Sequence, residues 1–466
     1  MAAIAVVAGL ALSACGGDDA DEADSDNADS APAEPADAPA DTEAPSGTEP
    51  DTDQPAEEPA GSEALSGELR WAVRENLAGP AQTMVDAFEA AHPDVNIELE
   101  QLPAPPPEYI QRLVTARLGE DLPDLIMTGD QYVSVLAEAE ITADLRPYLE
   151  SSEVLDVDYF APNFLDAFIP KTGAHEGEII SLPQSADAVV VFYNKDHFDE
   201  VGLDYPADDW TYEDFVAAAE ALSTDERWGA YERADFSPRY NAMTVALGGS
   251  IASDDYTEAR LDSPEAIEAF RMMLEPMKDG PFVPREEMAT IRYDDAFIQQ
   301  RASMFTGVRA NVPAVRAGAS FNWDVAPAPT VDGVRKSGSG SIGIGMTQAA
   351  SNPDLAWAFL EWFFSEDGGV PVLTETYAVV PAVPSLFDSP TWRDLPAPPG
   401  NVDVFVEAIE TGQPNPRLPY TAWSSYNDAV NTAIDSILLA GASYEDAFAE
   451  ANQTAQQALD EANAEG

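Results

Sequence analysis

The chain has 466 residues, 45% hydrophobic and 9% aromatic, which is ample material for one large or two moderate globular units. Its 85 acidic residues against 22 basic ones give a formal net charge of −63, which argues against any role that needs a basic surface to hold nucleic-acid phosphates. So acidic a surface suits high ionic strength, where salt screens self-repulsion, and a salt-loving source is a side expectation.

The chain opens on a short apolar run, IAVVAGLAL (4–12), that ends in small residues. It has the form of a secretory h-region and is too short for a mature membrane-spanning helix. The single cysteine, Cys15, has no partner for a disulfide and no basic neighbour to make it a nucleophile. Leu12-Ser13-Ala14-Cys15 resembles a bacterial lipobox, which implies cleavage before Cys15 and lipidation of its sulfur. A signal peptide starts with Lys or Arg, and neither occurs before Arg70, so the natural start is expected upstream of Met1. From Asp18 to about Leu65 the chain is almost wholly Asp, Glu, Ala, Pro, Ser, Thr and Gly. It cannot bury enough apolar surface to offset chain entropy, and it reads as an extended acidic tether.

In the body, ELRWAV (68–73) reads as a strand, and 81–91 as an amphipathic helix with Met84, Phe88 and Ala91 on one face. VNIELEQL (95–102) reads as a second strand, 108–118 as a helix and DLIM (124–127) as a short buried strand. The βαβαβ order predicts an α/β sheet. Ligands of such sheets meet the loops at the carboxyl ends of strands, here Arg74, Glu75 and Asn76 after the first and Thr128 to Tyr132 after the third.

Beyond this point the chain resembles the family 1 extracellular solute-binding proteins, the maltose-binding-protein-like receptors that feed sugars to ATP-driven importers. The resemblance is carried by FEAAHPDVNIELEQL (88–102) and LPDLIMTGDQYVSVLAEAEITADLRPYL (122–149), then by the LP, YNKD-F-GL and P-W-E-F elements within 181–222. AFIQQRASMFTGVRANVPAV (296–315) and PDLAWAFLEWFFS (353–365) continue it. No one of these is exclusive to the family; their order is the signal. The resemblance implies a two-lobed α/β fold of the type II periplasmic-binding kind, with hinge-connected lobes and a ligand cleft between them. By analogy, residues 1–14 are the signal peptide and 15–65 the lipidated cysteine and tether. Lobe 1 is then 66–186 plus 327–376, and lobe 2 is 187–326 plus 377–466.

A sugar presents hydroxyls at its edges and C–H faces above and below, so its site needs planar polar groups and aromatic rings. The polar candidates are Glu75 and Asn76, Asp130 and Gln131, Gln184 and Asp187 at the implied hinge, and Arg309, where the resemblance places a ligand loop. The candidate rings are Tyr132, Tyr240, Trp423 and Tyr426, the last two in PYTAWSSYNDAVNTAI (419–434), which is similar to the family's ligand-touching helix. Plainer readings stand beside these. Asp130 could cap the helix that follows, Trp423 and Tyr426 at i, i+3 could be core, and Arg309 could pair with a surface acid. Trp210, Trp357 and Trp362 lie in helical apolar patterns and read as core. GSGSIGIG (338–345) lacks the Lys of a phosphate loop and the spacing of a nucleophile elbow; it reads as a strand start lining the cleft.

The resulting expectation is a lipid-anchored receptor at the outer face of the bacterial cytoplasmic membrane. It would capture a mono- or oligosaccharide and deliver it to the permease and ATPase subunits of an ABC importer. It would be a monomer with no cofactor and no metal. Alternatives are a non-sugar solute on the same fold (polyamine, metal or a glycerol-phosphate-like molecule) or a secreted glycoside hydrolase. Three histidines and no H-E-x-x-H weigh against an enzyme. Asp254-Asp255-Tyr256 and Asp294-Asp295 read as solvated surface.

Overall fold

The computed structural model describes residues 65–465 apart from 104–105, 172, 279, 378–379 and 394–396; the apolar run, Cys15 and the acidic tether lie outside the described residues. Three sheets organise the body. The first is five-stranded, in the order β2-β1-β3-β11-β4: β1 Gly67–Arg74, β2 Val95–Leu102, β3 Leu125–Gly129, β4 Leu182–Pro183 and β11 Ile342–Met346. Strands β1, β2 and β3 run parallel, with Gly67 opposite Val95 and Trp71 opposite Leu125, whereas β11 runs antiparallel to β3 and β4. Helices cover β1 on both faces, so Trp71, Ala72 and Val73 are all fully buried rather than alternating.

Helix Ala78–Ala91 buries Ala81, Met84, Val85 and Phe88 against this sheet; Ala91, expected on the same face, is exposed in its last turn. Helix Pro353–Phe363 starts with proline at its first position, and the Asn352 side chain accepts from the Leu355 amide at 3.2 Å, an arrangement that suits a helix N-terminus. It sets Phe359 edge-on to Trp71 at 5.6 Å. Trp357 is buried in this core, and Trp362 packs against it.

The second large sheet has the order β7-β8-β6-β9, from β6 Val190–Asn194, β7 Trp228–Tyr231, β8 Ala302–Gly307 and β9 Trp323–Ala326. Phe192 stacks on Phe305 at 4.5 Å and on Trp323 at 5.8 Å. Helices Tyr420–Leu438 and Tyr444–Glu465 close this side, with Phe448 stacked on Phe270 at 4.3 Å. Trp210 is buried here, its indole N–H donating to the Pro327 carbonyl. Asp294 departs from the surface expectation: it is buried and holds Arg292 through two hydrogen bonds of 2.9 and 2.6 Å, which meets its charge, while Asp295 is exposed.

Between the two sheets run three short strands in the order β12-β10-β5: β5 Asp187–Ala188, β10 Ser337–Gly340 and β12 Gly412–Pro414. The chain leaves the first sheet through β4 and β5, returns from β9 through β10 and β11, and crosses again through β12. Strand β10 lies against the first turn of helix Ser237–Ala246 so closely that a Cβ on Gly338 would overlap the Pro238 carbonyl. That turn is held by a buried pair, Arg239 Nε and Nη2 donating to the two carboxylate oxygens of Glu232 at 3.1 and 3.0 Å.

Gly338→Ala is expected to cost about 1–3 kcal/mol in urea unfolding, since overpacking here meets backbone and not a flexible side chain. Gly79→Ala is its control. Gly79 sits in an exposed helical turn with open space at its Cβ, and the change should be neutral or slightly stabilising. Equal effects at the two sites would contradict the close approach.

Candidate functional site

A cleft of about 360 Å³ opens where these three strands meet the large sheets. Asp130 and Gln131 reach it from the carboxyl end of β3, and Asp187 from β5. Phe236, Ser237 and Pro238 come from the start of helix Ser237–Ala246, while Asn415, Trp423 and Asn427 come from the C-terminal stretch. Gly338, Gly340, Ser341 and Ile342 form the floor, within the glycine-rich segment read as a cleft-lining strand.

Asp130 is buried, and one carboxylate oxygen accepts from the Ser341 amide at 3.1 Å, while its own amide donates to the Ser341 carbonyl at 3.2 Å. The cap positions of the short turn Asp130–Tyr132 and of the helix that follows it fall on Gly129 and Tyr132, so Asp130 is not the capping residue of either. Burial pushes the Asp130 carboxyl up to about 6, against the pull of the Ser341 and Gln131 amides and of Arg417. Asp187 is half-buried as a residue, but one of its carboxylate oxygens is sealed from solvent with no partner. Burial raises it too, to about 6, opposed by Arg309.

Arg309 is 3% exposed and is no surface ion-pair member. Its Nε and Nη1 have no hydrogen-bond partner, and its guanidinium lies over the Phe405 ring at 5.4 Å. Burial first, and the neighbouring Arg316 second, lower it to about 10, with Asp187 pulling the other way. It stays charged at neutral pH behind Asp187 rather than in the cleft wall. Trp423 is half-buried, packed against the second core on one side and facing the cleft on the other.

The remaining candidates lie elsewhere. Tyr240 and Tyr426 are fully buried core rings: Tyr240 donates its hydroxyl to Asn427 at 3.1 Å, and Tyr426 donates to the Ile251 carbonyl. Neither ring reaches the cleft, because each points to the inner face of its helix. Gln184 is buried, its amide donating to the Ile342 carbonyl at 2.8 Å and its side-chain oxygen unpartnered. Tyr132 lines a separate cavity of about 50 Å³ with Arg74 and Tyr109 behind Gln131, and Glu75 and Asn76 are exposed in the turn after β1.

Sequence reasoning missed Asn427, Asn415 and the Phe236–Pro238 corner, while Ser341 falls within the segment it read as lining the cleft. Asn427 follows Trp423 by one helical turn, so the helical period could have found it, and its side chain is fixed by accepting from Tyr240 and donating to the Trp423 carbonyl at 3.0 Å. Asn415 sits in an irregular stretch with no periodic signal. Among the described residues there is no cluster of three or more metal-ligating side chains, and no helix is long and apolar enough to cross a membrane. The arrangement therefore offers carboxylates, amides and a hydroxyl around a ring, which is the equipment for holding a polyhydroxylated molecule.

Residues 74–370 match the model of the family described as bacterial extracellular solute-binding protein. A maltotriose-binding protein of Pyrococcus abyssi is 24% identical over 367 residues, 77% of this chain and 74% of its own. Among solved structures, an ABC substrate-binding protein of Listeria monocytogenes in complex with cycloalternan superposes with a TM-score of 0.74 at 22% identity, over 85% of this chain and 100% of its own. UgpB of Mycobacterium tuberculosis in complex with glycerophosphocholine gives 0.71 at 16% identity, over 85% and 99%. These likenesses show a two-lobed fold.

In the empty protein the two acids titrate near 6 when folded and near 3.8 when unfolded, so the folded state binds more protons between those values. Their contribution to stability is therefore worst above about pH 6 and improves as pH falls toward 4. Asp187→Asn should flatten the dependence of Tm on pH between about 4 and 6 relative to wild type. Parallel melting curves would contradict a carboxylate held up by burial.

Proposed function

Since the chain belongs to the bacterial extracellular solute-binding proteins, we propose that it is an exported receptor that captures a sugar in the cleft between its lobes and hands it to an ABC importer. The observation that carries this reading is the pairing of Asp130, Asp187 and Asn427 with the Trp423 ring around one cavity. Ionised carboxylates accept strongly from hydroxyls, amides both accept and donate, and the indole face covers C–H groups. The sugar-binding relatives support it. In this reading lobe 1 is 66–186 plus 327–376, lobe 2 is 187–326 plus 377–466, and ligand closes them by bending at the three short strands. Cys15 carries the lipid, and the acidic tether holds a monomeric body off the outer face of the cytoplasmic membrane. The ligand is bound and released intact, not hydrolysed.

One observation favours a second reading. Arg309 keeps two donors unpartnered in a buried setting, which would suit an anionic solute such as a glycerol phosphodiester. Asp187 beside it and Asp130 across the cleft weigh against an added anion.

A thermal-shift screen in high salt separates the two readings with mono- and oligosaccharides, polyols, polyamines, ferric ion and glycerol 3-phosphate. Ligand at about 100 times its Kd stabilises by about 2.7 kcal/mol, well within reach of the method. A sugar shift with the sugar recovered intact is the expected result. Silence from every sugar beside a shift with glycerol 3-phosphate would replace it with the second reading.

Trp423→Ala should weaken the sugar at least tenfold, about 1.4 kcal/mol, in calorimetry, and Arg309→Met should weaken it through Asp187, whose carboxyl loses its neighbouring cation. The empty Arg309→Met protein should melt within a few degrees of wild type, because an apolar side chain replaces a buried guanidinium that has two donors without partners. A large fall in Tm with unchanged affinity would make Arg309 a packing residue only.

A further inference from the structure

The cavity of about 50 Å³ behind Gln131 holds a cation that no carboxylate meets. Arg74 lines it from the carboxyl end of β1, half-buried among Tyr109, Tyr132 and the apolar side chains of Ile110, Met127 and Ile342. Among the described residues its guanidinium has no hydrogen-bond or ion-pair partner. Glu100, on the neighbouring strand β2, is engaged by Arg70, and Asp130, in the cleft wall, accepts from the Ser341 amide. Burial lowers Arg74 from its ordinary value, and the groups that pull the other way are Tyr109 and Tyr132 rather than an acid. In a chain with 85 acidic residues against 22 basic ones this is an unexpected place for an unpaired charge, since charges taken out of water are ordinarily met by a counter-charge.

The other polar groups around the cavity are already committed. The Tyr109 hydroxyl donates to the Ala72 carbonyl at 3.0 Å and accepts from the Met127 amide at 3.1 Å, the Thr128 hydroxyl donates to Ser181 at 2.9 Å, and the Ser341 hydroxyl donates to the Ser185 carbonyl. The Gln131 side chain, folded over Gly129, makes no hydrogen bond among the described residues. The cavity therefore offers one guanidinium and one amide as free donors, with hydrocarbon on its remaining sides. About 10–15 Å³ holds one water-sized occupant, so the space admits a small ion and little else. A phosphate or sulfate would turn several oxygens toward Ile110, Met127 and Ile342, where they find no donor. A halide carries one charge on a sphere, with no fixed acceptor directions to satisfy. The net charge of −63 repels anions at low salt, but at about 1 M the screening length falls to about 3 Å and the charge in contact decides.

We propose that this cavity is a halide site, in which chloride sits against the Arg74 guanidinium and the Gln131 side-chain amide with Ile110, Met127 and Ile342 closing it. Gln131, Ser341 and Ile342 also line the cleft, so the ion backs one wall of the ligand site. The halide site stands whatever solute the cleft takes.

Two measurements on the full chain without sugar test it. Crystals grown with sodium bromide in place of chloride should show a bromine anomalous peak in the cavity beside Arg74. In solution, chloride replaces methanesulfonate at a constant ionic strength of about 1 M, so that screening does not change. Above the Kd of the site, Tm should rise by about 1–2 °C for each tenfold increase in chloride, as one-site binding to the folded state requires. Arg74→Gln should abolish that slope. The bromide peak is read on the unaltered chain and decides the matter even where Arg74→Gln does not fold. No peak at Arg74, or a chloride slope that survives Arg74→Gln, would overturn the site. A peak there without any chloride slope would mark an adventitious ion only and overturn it too, and a slope with phosphate but none with chloride would replace the halide by an oxyanion.

Discussion

Everything in this molecule that bears on binding depends on how closely strand β10 can lie against the first turn of helix Ser237–Ala246. At Gly338 there is no room for a side chain, and the helix turn itself is pinned by the buried Arg239–Glu232 pair. Through that contact β10 carries its neighbours β5 and β12 into the same place, and with them Asp187 and Asn415. One residue further on, Ser341 leaves the strap for the first sheet and fixes Asp130 with its amide. Residues far apart in the chain thus share one cavity because two pieces of backbone meet without side chains between them. In the proposed reading the same short strands are the hinge, where bending would leave both large sheets undisturbed.

The cleft keeps some of its polar groups unfinished: Asp187 and Asn415 on its wall, and Arg309 and Gln184 off it, each hold a sealed polar atom without a partner. Burying such groups disfavours the empty protein, and the two acids respond by titrating nearer to neutrality. A polyhydroxylated ligand would bring donors to the Asp130 and Asp187 carboxylates at no cost in net charge. The cleft is therefore preorganised at the expense of the stability of the empty state, a familiar trade at sites shaped for function.

Much of the architecture was legible because burial imposes periods. The strands β1, β2 and β3 and the helices between them emerge from alternation and from three-to-four-residue spacing, to within a few residues. Asp130, Gln131 and Asp187 could be named because ligand loops follow strand ends and the implied hinge. Period alone does not say which helical face meets the core, and Tyr240 and Tyr426 went to the inner face while Trp423 stayed at the rim. Asn415 gave no signal at all, since its position follows from strand crossings that join distant parts of the chain, whereas Ser341 lay in the glycine-rich segment read as lining the cleft. Arg309 could be named where the resemblance places a ligand loop, but only the fold shows it buried over Phe405 and outside the cleft wall.

The most direct test of the account is a crystal structure of the protein grown with the sugar that gives the largest thermal shift. The account predicts one ring lying on the Trp423 indole with hydroxyls on Asp130 and Asp187, and the lobes closed over it. Sugar density on the outer surface, with the cleft filled only by solvent, would contradict it.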